Sequence, residues 1–184
     1  MKSIITLTLF SLISLTAMAQ HGDHENHQKE EQVQHQHTNH LEVLIGHYMG
    51  AKNALVQDEF ESAKESLKAF AEEVHNSGEM NEHEEHANKH ADHHSKMAAA
   101  VTEASEAEDI KALRTALKKI SVELITAVQN QGYDDTLYKQ YCPMYEGGSS
   151  WLSTEKKVQN PFFGQAMHSC GDSSEIIDET NGES

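Results

Sequence analysis

Apolar residues recur at three- and four-residue steps through most of residues 41–128, and this spacing constrains the fold more than any other feature. Leu41, Leu44, Ile45, Tyr48, Ala51 and Leu55 share one helical face, which predicts a helix over about 41–56. Asp58 with Glu61 makes an Asp-x-x-Glu capping signature ahead of Phe60, Ala63, Leu67, Phe70, Ala71 and Val74, so a second helix is expected over about 59–76, ended by Ser77-Gly78. Asn81 with Glu84 repeats the signature and starts a third helix that runs to about Glu106. The fourth carries Ile110, Leu113, Leu117, Ile120, Leu124 and Val128 and closes at Gly132. Only two prolines interrupt the chain, and its Ala, Glu, Lys and Leu stretches favour helix. The expected fold class is therefore all-α: an up-down-up-down four-helix bundle over 41–132.

The flanks differ in kind. Lys2, an apolar run from Ile4 to Leu15 and Ala17-Met18-Ala19 fit a secretory signal peptide over 1–19, with cleavage after Ala19. The run is too short for a membrane span, so no membrane insertion is expected. Residues 20–40 hold six histidines and Val33 as their one aliphatic residue before Leu41, too little apolar surface to offset chain ordering. A disordered, His-rich tail suited to weak metal capture is the expectation there, with a solubilising linker as the alternative. From Tyr133 the helical pattern stops. Residues 133–172 hold both prolines, both cysteines and the single tryptophan, and read as an irregular Cys/Met-containing C-terminal cap packed on the bundle, with a short hairpin around Trp151 and Val158. Residues 173–184 read as a frayed, disordered tail.

The formal charge is -16, and loss of Lys2 makes it -17, which disfavours nucleic acid as a partner and favours cations. Catalysis has no visible seat, so the chain is not expected to be an enzyme. Glu72 to His75 is the single Glu-x-x-His match, short of a di-iron bundle. No Cys-x-x-Cys-His haem attachment appears, and His83-Glu84-Glu85-His86 is one residue short of the zinc-protease motif.

Histidine, fourteen times present, replaces leucine as the periodic residue of helix three. At 100° per residue, His83, His86, His90, His93, His94 and Met97 fall within an arc of about 100°. Imidazoles at i and i+4, His86 with His90 and His90 with His94, suit zinc, copper or nickel. Imidazole ligates only when neutral, so affinity there should fall as pH drops through the histidine range. A solvated histidine face without metal is the competing reading.

Each cysteine has a methionine close in sequence: Cys142-Pro143-Met144 and Met167-His168-Ser169-Cys170. Thiolate and thioether sulfur together select copper(I) and other soft ions. Two cysteines in an exported chain equally suit a disulfide, which would stabilise the fold by roughly 3 to 4 kcal/mol on the chain-entropy estimate. Both readings stand on the residues.

The order Tyr138, Tyr141-Cys142-Pro143-Met144, Gly147-Gly148, Trp151-Leu152-Ser153, Asn160-Pro161-Phe162-Phe163-Gly164, Met167 and Cys170-Gly171 resembles a domain of unknown function. That domain is found as the C-terminal extension of periplasmic adaptor subunits of copper and heavy-metal efflux pumps, and as stand-alone exported proteins of Bacteroidetes type. The resemblance spans about 41–172; the family's usual tyrosine is replaced at Phe162 or Phe163, and the histidine stripe lies outside its pattern. It implies an exported, metal-linked helical domain with Cys142, Met144, Met167 and Cys170 carried over as the metal positions. The expected function is periplasmic or secreted heavy-metal binding, copper favoured and zinc second, in buffering, transfer or resistance. The alternative is an interaction module of an envelope efflux complex, docking on a pump adaptor, with a disulfide-stapled cap.

Overall fold

A computed structural model describes residues 24–78 and 87–177, with side-chain surroundings for 40–76, 95–172 and 177. The expected signal peptide and the start of helix three at Asn81 lie outside the described residues. Four helices, α1 (His24–Val56), α2 (Phe60–Gly78), α3 (Ala87–Glu106) and α4 (Ile110–Gln131), pack in sequence order. An antiparallel hairpin of β1 (Leu137–Cys142) and β2 (Ser149–Ser153) follows. A third strand, β3 (Asp172–Ile177), pairs with the other edge of β1, giving the order β2-β1-β3. Among the described residues no helix is long and apolar enough to cross a membrane.

The helical stripes are the core. Leu41, Leu44, Ile45, Tyr48, Ala51 and Leu55 of α1, Ala63, Leu67, Phe70, Ala71 and Val74 of α2, and Leu113, Leu117, Ile120, Leu124 and Val128 of α4 are all buried. On α3 the inward face is Met97, Ala100, Val101 and Ala104. Small residues there let α3 lie close to its neighbours. Helix α4 has both of its ends fixed. Asp109 takes an extended conformation and its Oδ1 accepts from Ala112 N–H at 2.8 Å, while Gly132, at φ 77°, donates its N–H to Val128 O at 2.9 Å.

Three expectations need correction here. α1 begins at His24, inside the segment read as a disordered tail; no proline or glycine lies between His24 and Ile45, and the Glu, Gln and Lys residues let a helix nucleated further along propagate backwards. Asp58 does not cap α2. It sits at φ 62° and ends α1: its N–H reaches Leu55 O at 3.3 Å and Glu59 N–H reaches Ala54 O at 2.9 Å, a Schellman closure with aspartate where glycine is usual. Glu59 O then accepts from Ala63 N–H to open α2.

The third correction concerns the cap, which is built on a sheet. The hairpin turn is 143–148, with Glu146, Gly147 and Gly148 at positive φ, and it joins Cys142 to Ser149 as facing partners, so Val158 lies beyond the hairpin. Residues 173–177, within the segment read as frayed, belong to β3, where Ile177 is buried and pairs with Leu137. Register slips between Lys139 and Gln140, where β3 carries an extra residue. The inward side chains of β1 slip with it, from Leu137 to Gln140 and Cys142.

Tyr48 joins the two regions. Its hydroxyl lies 2.7 Å from Ser121 Oγ on α4 and accepts from Leu152 N–H of β2 at 3.2 Å. Full burial pushes its pKa up to about 12, so the phenol stays neutral and able to donate.

Candidate metal centre

Strand β1 ends on Cys142, fully buried and facing inward. Cys170, half-buried, stands on the loop that leads into β3, and its Sγ lies 3.4 Å from Cys142 Sγ. Met144, two residues into the hairpin turn, brings its Sδ to 3.8 Å from Cys170 Sγ. The two sulfurs are not bonded to each other in this structure. The Cys142 thiol beside it, helped by desolvation, raises the Cys170 pKa, because a thiolate there would lose a donor and face a second sulfur.

Three of the four sulfurs singled out in the sequence thus converge. Met167 stands at the rim: its carbonyl accepts from Cys170 N–H at 3.0 Å and its side chain is 37% exposed. Met144 is 63% exposed and Cys142 fully buried, so the cluster runs from an open thioether to an enclosed thiol. A metal–sulfur bond of about 2.3 Å puts sulfurs around one ion roughly 3.8 to 4.0 Å apart. The Cys170–Met144 separation meets that value, and the thiol pair would open by a few tenths of an ångström. The donor set fits a soft ion. No group of three His, Cys, Asp or Glu side chains converges among the described residues, so no hard-ion cage appears there.

A polar frame places the second thiol. The loop 160–171 begins at Asn160, fully buried, whose Nδ2 donates to Cys170 O at 2.8 Å and whose N–H donates to His168 O at 2.6 Å. Its Oδ1 accepts from Phe162 N–H at 2.8 Å and Phe163 N–H at 3.3 Å. Phe162 stacks on Tyr145 with centroids 4.7 Å apart and meets Trp151 edge-on at 5.7 Å. Gly171, at φ 132°, lets the chain pass against β1; a Cβ there would lie 2.6 Å from Tyr141 O.

Arg114, the single arginine, bolts this loop to the helices. Its Nε donates to Pro161 O at 2.8 Å, and its Nη2 donates to Leu55 O at 3.0 Å and to Asp58 Oδ1 at 2.5 Å. The guanidinium holds the Asp58 carboxyl below its ordinary range. Asp58 Oδ2 accepts from Gln165 N–H at 3.1 Å, and Gln165 Nε2 donates to Val56 O at 2.9 Å. Gly164 lies so close to the Asp58–Arg114 pair that any Cβ would overlap it. Sequence reasoning passed over Arg114 and Asn160. The signals were a lone arginine in an acidic chain and an Asn-Pro turn opener.

The histidine stripe is less defined. His83 and His86 lie outside the described residues, and His90, His93 and His94 fall within α3 with side chains outside them. Met97 is 7% exposed and belongs to the hydrophobic core. His40, assigned to the tail, instead pairs its Nδ1 with Glu73 Oε1 at 2.6 Å and links α1 to α2.

A helical domain followed by a small sheet that carries a sulfur cluster is the class of protein defined by these features. Residues 44–136, half of the chain, match the family of proteins of unknown function DUF3347, and the chain belongs to that family. The match covers α2 to α4 and α1 from residue 44, and ends before β1, so all four sulfurs lie beyond it. No curated protein and no solved structure matches the chain.

Proposed function

We propose that this is an exported, non-catalytic heavy-metal-binding protein of the periplasm, which takes copper(I), with zinc as second choice, and buffers it or hands it on in metal resistance. The observation that carries the reading is the meeting of Cys142, Cys170 and Met144 sulfurs within 3.4 and 3.8 Å. Two thiols and a thioether suit a soft monovalent ion, and the exposed Met144 offers an entry ligand above a buried thiol. The cap motifs' resemblance to the extension of efflux-pump adaptors supports both the metal and a docking partner in the envelope. His83, His86, His90, His93 and His94 would add weak divalent binding in this reading.

Anaerobic titration with copper(I) against a competing chelator tests it. Wild type should take one ion per chain, Cys142→Ser with Cys170→Ser should take none, and Met144→Leu should bind about tenfold more weakly, the scale on which changes around a metal site act. Equal uptake by wild type and the double serine variant would overturn the sulfur site. The same thiol closeness favours one other reading, a disulfide-stapled interaction module. Purified protein with no free thiol and no copper(I) uptake would sink the sulfur site and favour that reading, leaving the histidine stripe to be tested separately.

A further inference from the structure

We propose that Asn160 is the positioning residue of the sulfur cluster: its buried amide closes the 160–171 loop at its neck and fixes the Cys170 thiol against Cys142. The proposal rests on the metal reading for its purpose, while its test reads the thiol pair with no metal present.

Cys142 needs no such help, because it ends a strand paired on both sides and is fully buried. Cys170 has no strand partner; β3 begins two residues later. What holds its backbone is Asn160 Nδ2 on its carbonyl at 2.8 Å, the Met167 carbonyl on its N–H at 3.0 Å, and Gly171 pressed against β1. The Met167 contact is internal to the loop and moves with it. Asn160 is the member of this set that ties the start of the loop to its end, since its own N–H also donates to His168 O at 2.6 Å.

The amide is suited to this and few side chains could replace it. At full burial each of its polar atoms must be paired. Oδ1 holds the first turn through Phe162 and Phe163 N–H, leaving Nδ2 free to donate across the neck to Cys170 O. Aspartate at the same position keeps the acceptor and loses the donor, setting a carboxylate oxygen against a carbonyl. The turn and the backbone bond to His168 O would persist while the bond to Cys170 O is lost, so the Cys170 sulfur would sample more space.

Thiol–disulfide exchange with glutathione reads this directly. Two protein thiols and one glutathione disulfide give one protein disulfide and two glutathione thiols, and the equilibrium ratio measures how well the protein holds its thiols together. Asn160→Asp should lower that ratio about tenfold, the scale of a buried acceptor left unpaired. Asn160→Ser, whose hydroxyl is too short to span the neck, should lower it as much and covers the case where aspartate fails to fold. Ser153→Ala, which removes the cap bond from Glu155 N–H to Ser153 Oγ, should leave it within about twofold of wild type, since that bond does not touch Cys170. An unchanged ratio in folded Asn160 variants, or an equal fall in Ser153→Ala, would overturn the positioning role. A tenfold fall in exchange alongside no copper(I) uptake by wild type would sustain it and sink the metal reading, so the two fail separately.

Discussion

The helical domain and the cap are held by opposite means. Order in the helices is redundant: among the described residues each buries four or more apolar side chains, and a missing one leaves the pattern standing. The cap relies on single polar residues. Arg114 reaches Pro161 O, Leu55 O and Asp58, joined by Gln165 on Asp58 and Val56 O, and Asn160 closes the loop that carries Cys170. A region organised by repeated apolar contacts tolerates change, whereas one organised by unique hydrogen bonds transmits it. The seam between them therefore should be the most sensitive place in the molecule.

The largest effect expected is at that seam. Arg114→Ala removes three bonds from a side chain 12% exposed: Pro161 O loses this donor, Leu55 O keeps only the Asp58 N–H, and Asp58, 42% exposed, keeps Gln165 N–H and solvent. Urea denaturation should show a loss of about 3 kcal/mol. The near-ultraviolet signal of Trp151 should weaken before the helical signal does. A loss below about 1 kcal/mol would break the contrast between redundant and single restraints.

Lys52 gives the next effect, with opposite sign. It is 1% exposed on α1, and burial lowers its pKa from 10.5 to about 8, against a smaller raising influence of Glu155. The charged form is thus disfavoured on folding. Below pH 8 both folded and unfolded chains carry the proton and the penalty is full; from there to pH 10.5 the unfolded chain binds more protons, so stability rises with pH. The gain amounts to roughly 3 kcal/mol at most on the usual conversion. Lys52→Met should stabilise the protein by about 2 kcal/mol at pH 7 and abolish that rise. If the variant keeps the alkaline rise, the lysine is not its source.

What could be read in the sequence follows the same division. The stripes of α1, α2 and α4 and the Gly132 cap were legible because helical periodicity repeats a signal many times over. The meeting of Cys142, Met144 and Cys170 was legible as composition, since soft ligands sat close in sequence at both places. Asp58 misled because the capping pattern was read from local sequence, whereas Asp58 sits at φ 62° closing α1 and its carboxylate is taken by Arg114, 56 residues away. A hairpin around Trp151 was legible, but its bounds and β3 were not: β1 pairs with β3 across β2 and the loop after it, and a six-residue strand carries too few positions to show its period once a bulge shifts it. Asn160-Pro161 marks a turn opener but not the neck of a loop, because the partner of the amide, Cys170 O, is ten residues on.

The smallest effect belongs to a polar residue inside the redundant region. Asp109 caps α4 through Ala112 N–H at 2.8 Å, and Asp109→Ala should cost about 1 kcal/mol, the ordinary value of such a cap. Its reach is what sharpens the comparison. Fraying from a lost cap is confined to the first turn, here Ile110 to Leu113, and Leu113 is fully buried and anchors that turn's far end. Arg114 comes one residue later, so the seam should hold, and the glutathione exchange ratio of Cys142 and Cys170 should equal that of wild type. A cap substitution that moved the thiol pair would mean that the first turn of α4 and the seam unfold as one unit, and the boundary between the two regions would then lie before Arg114.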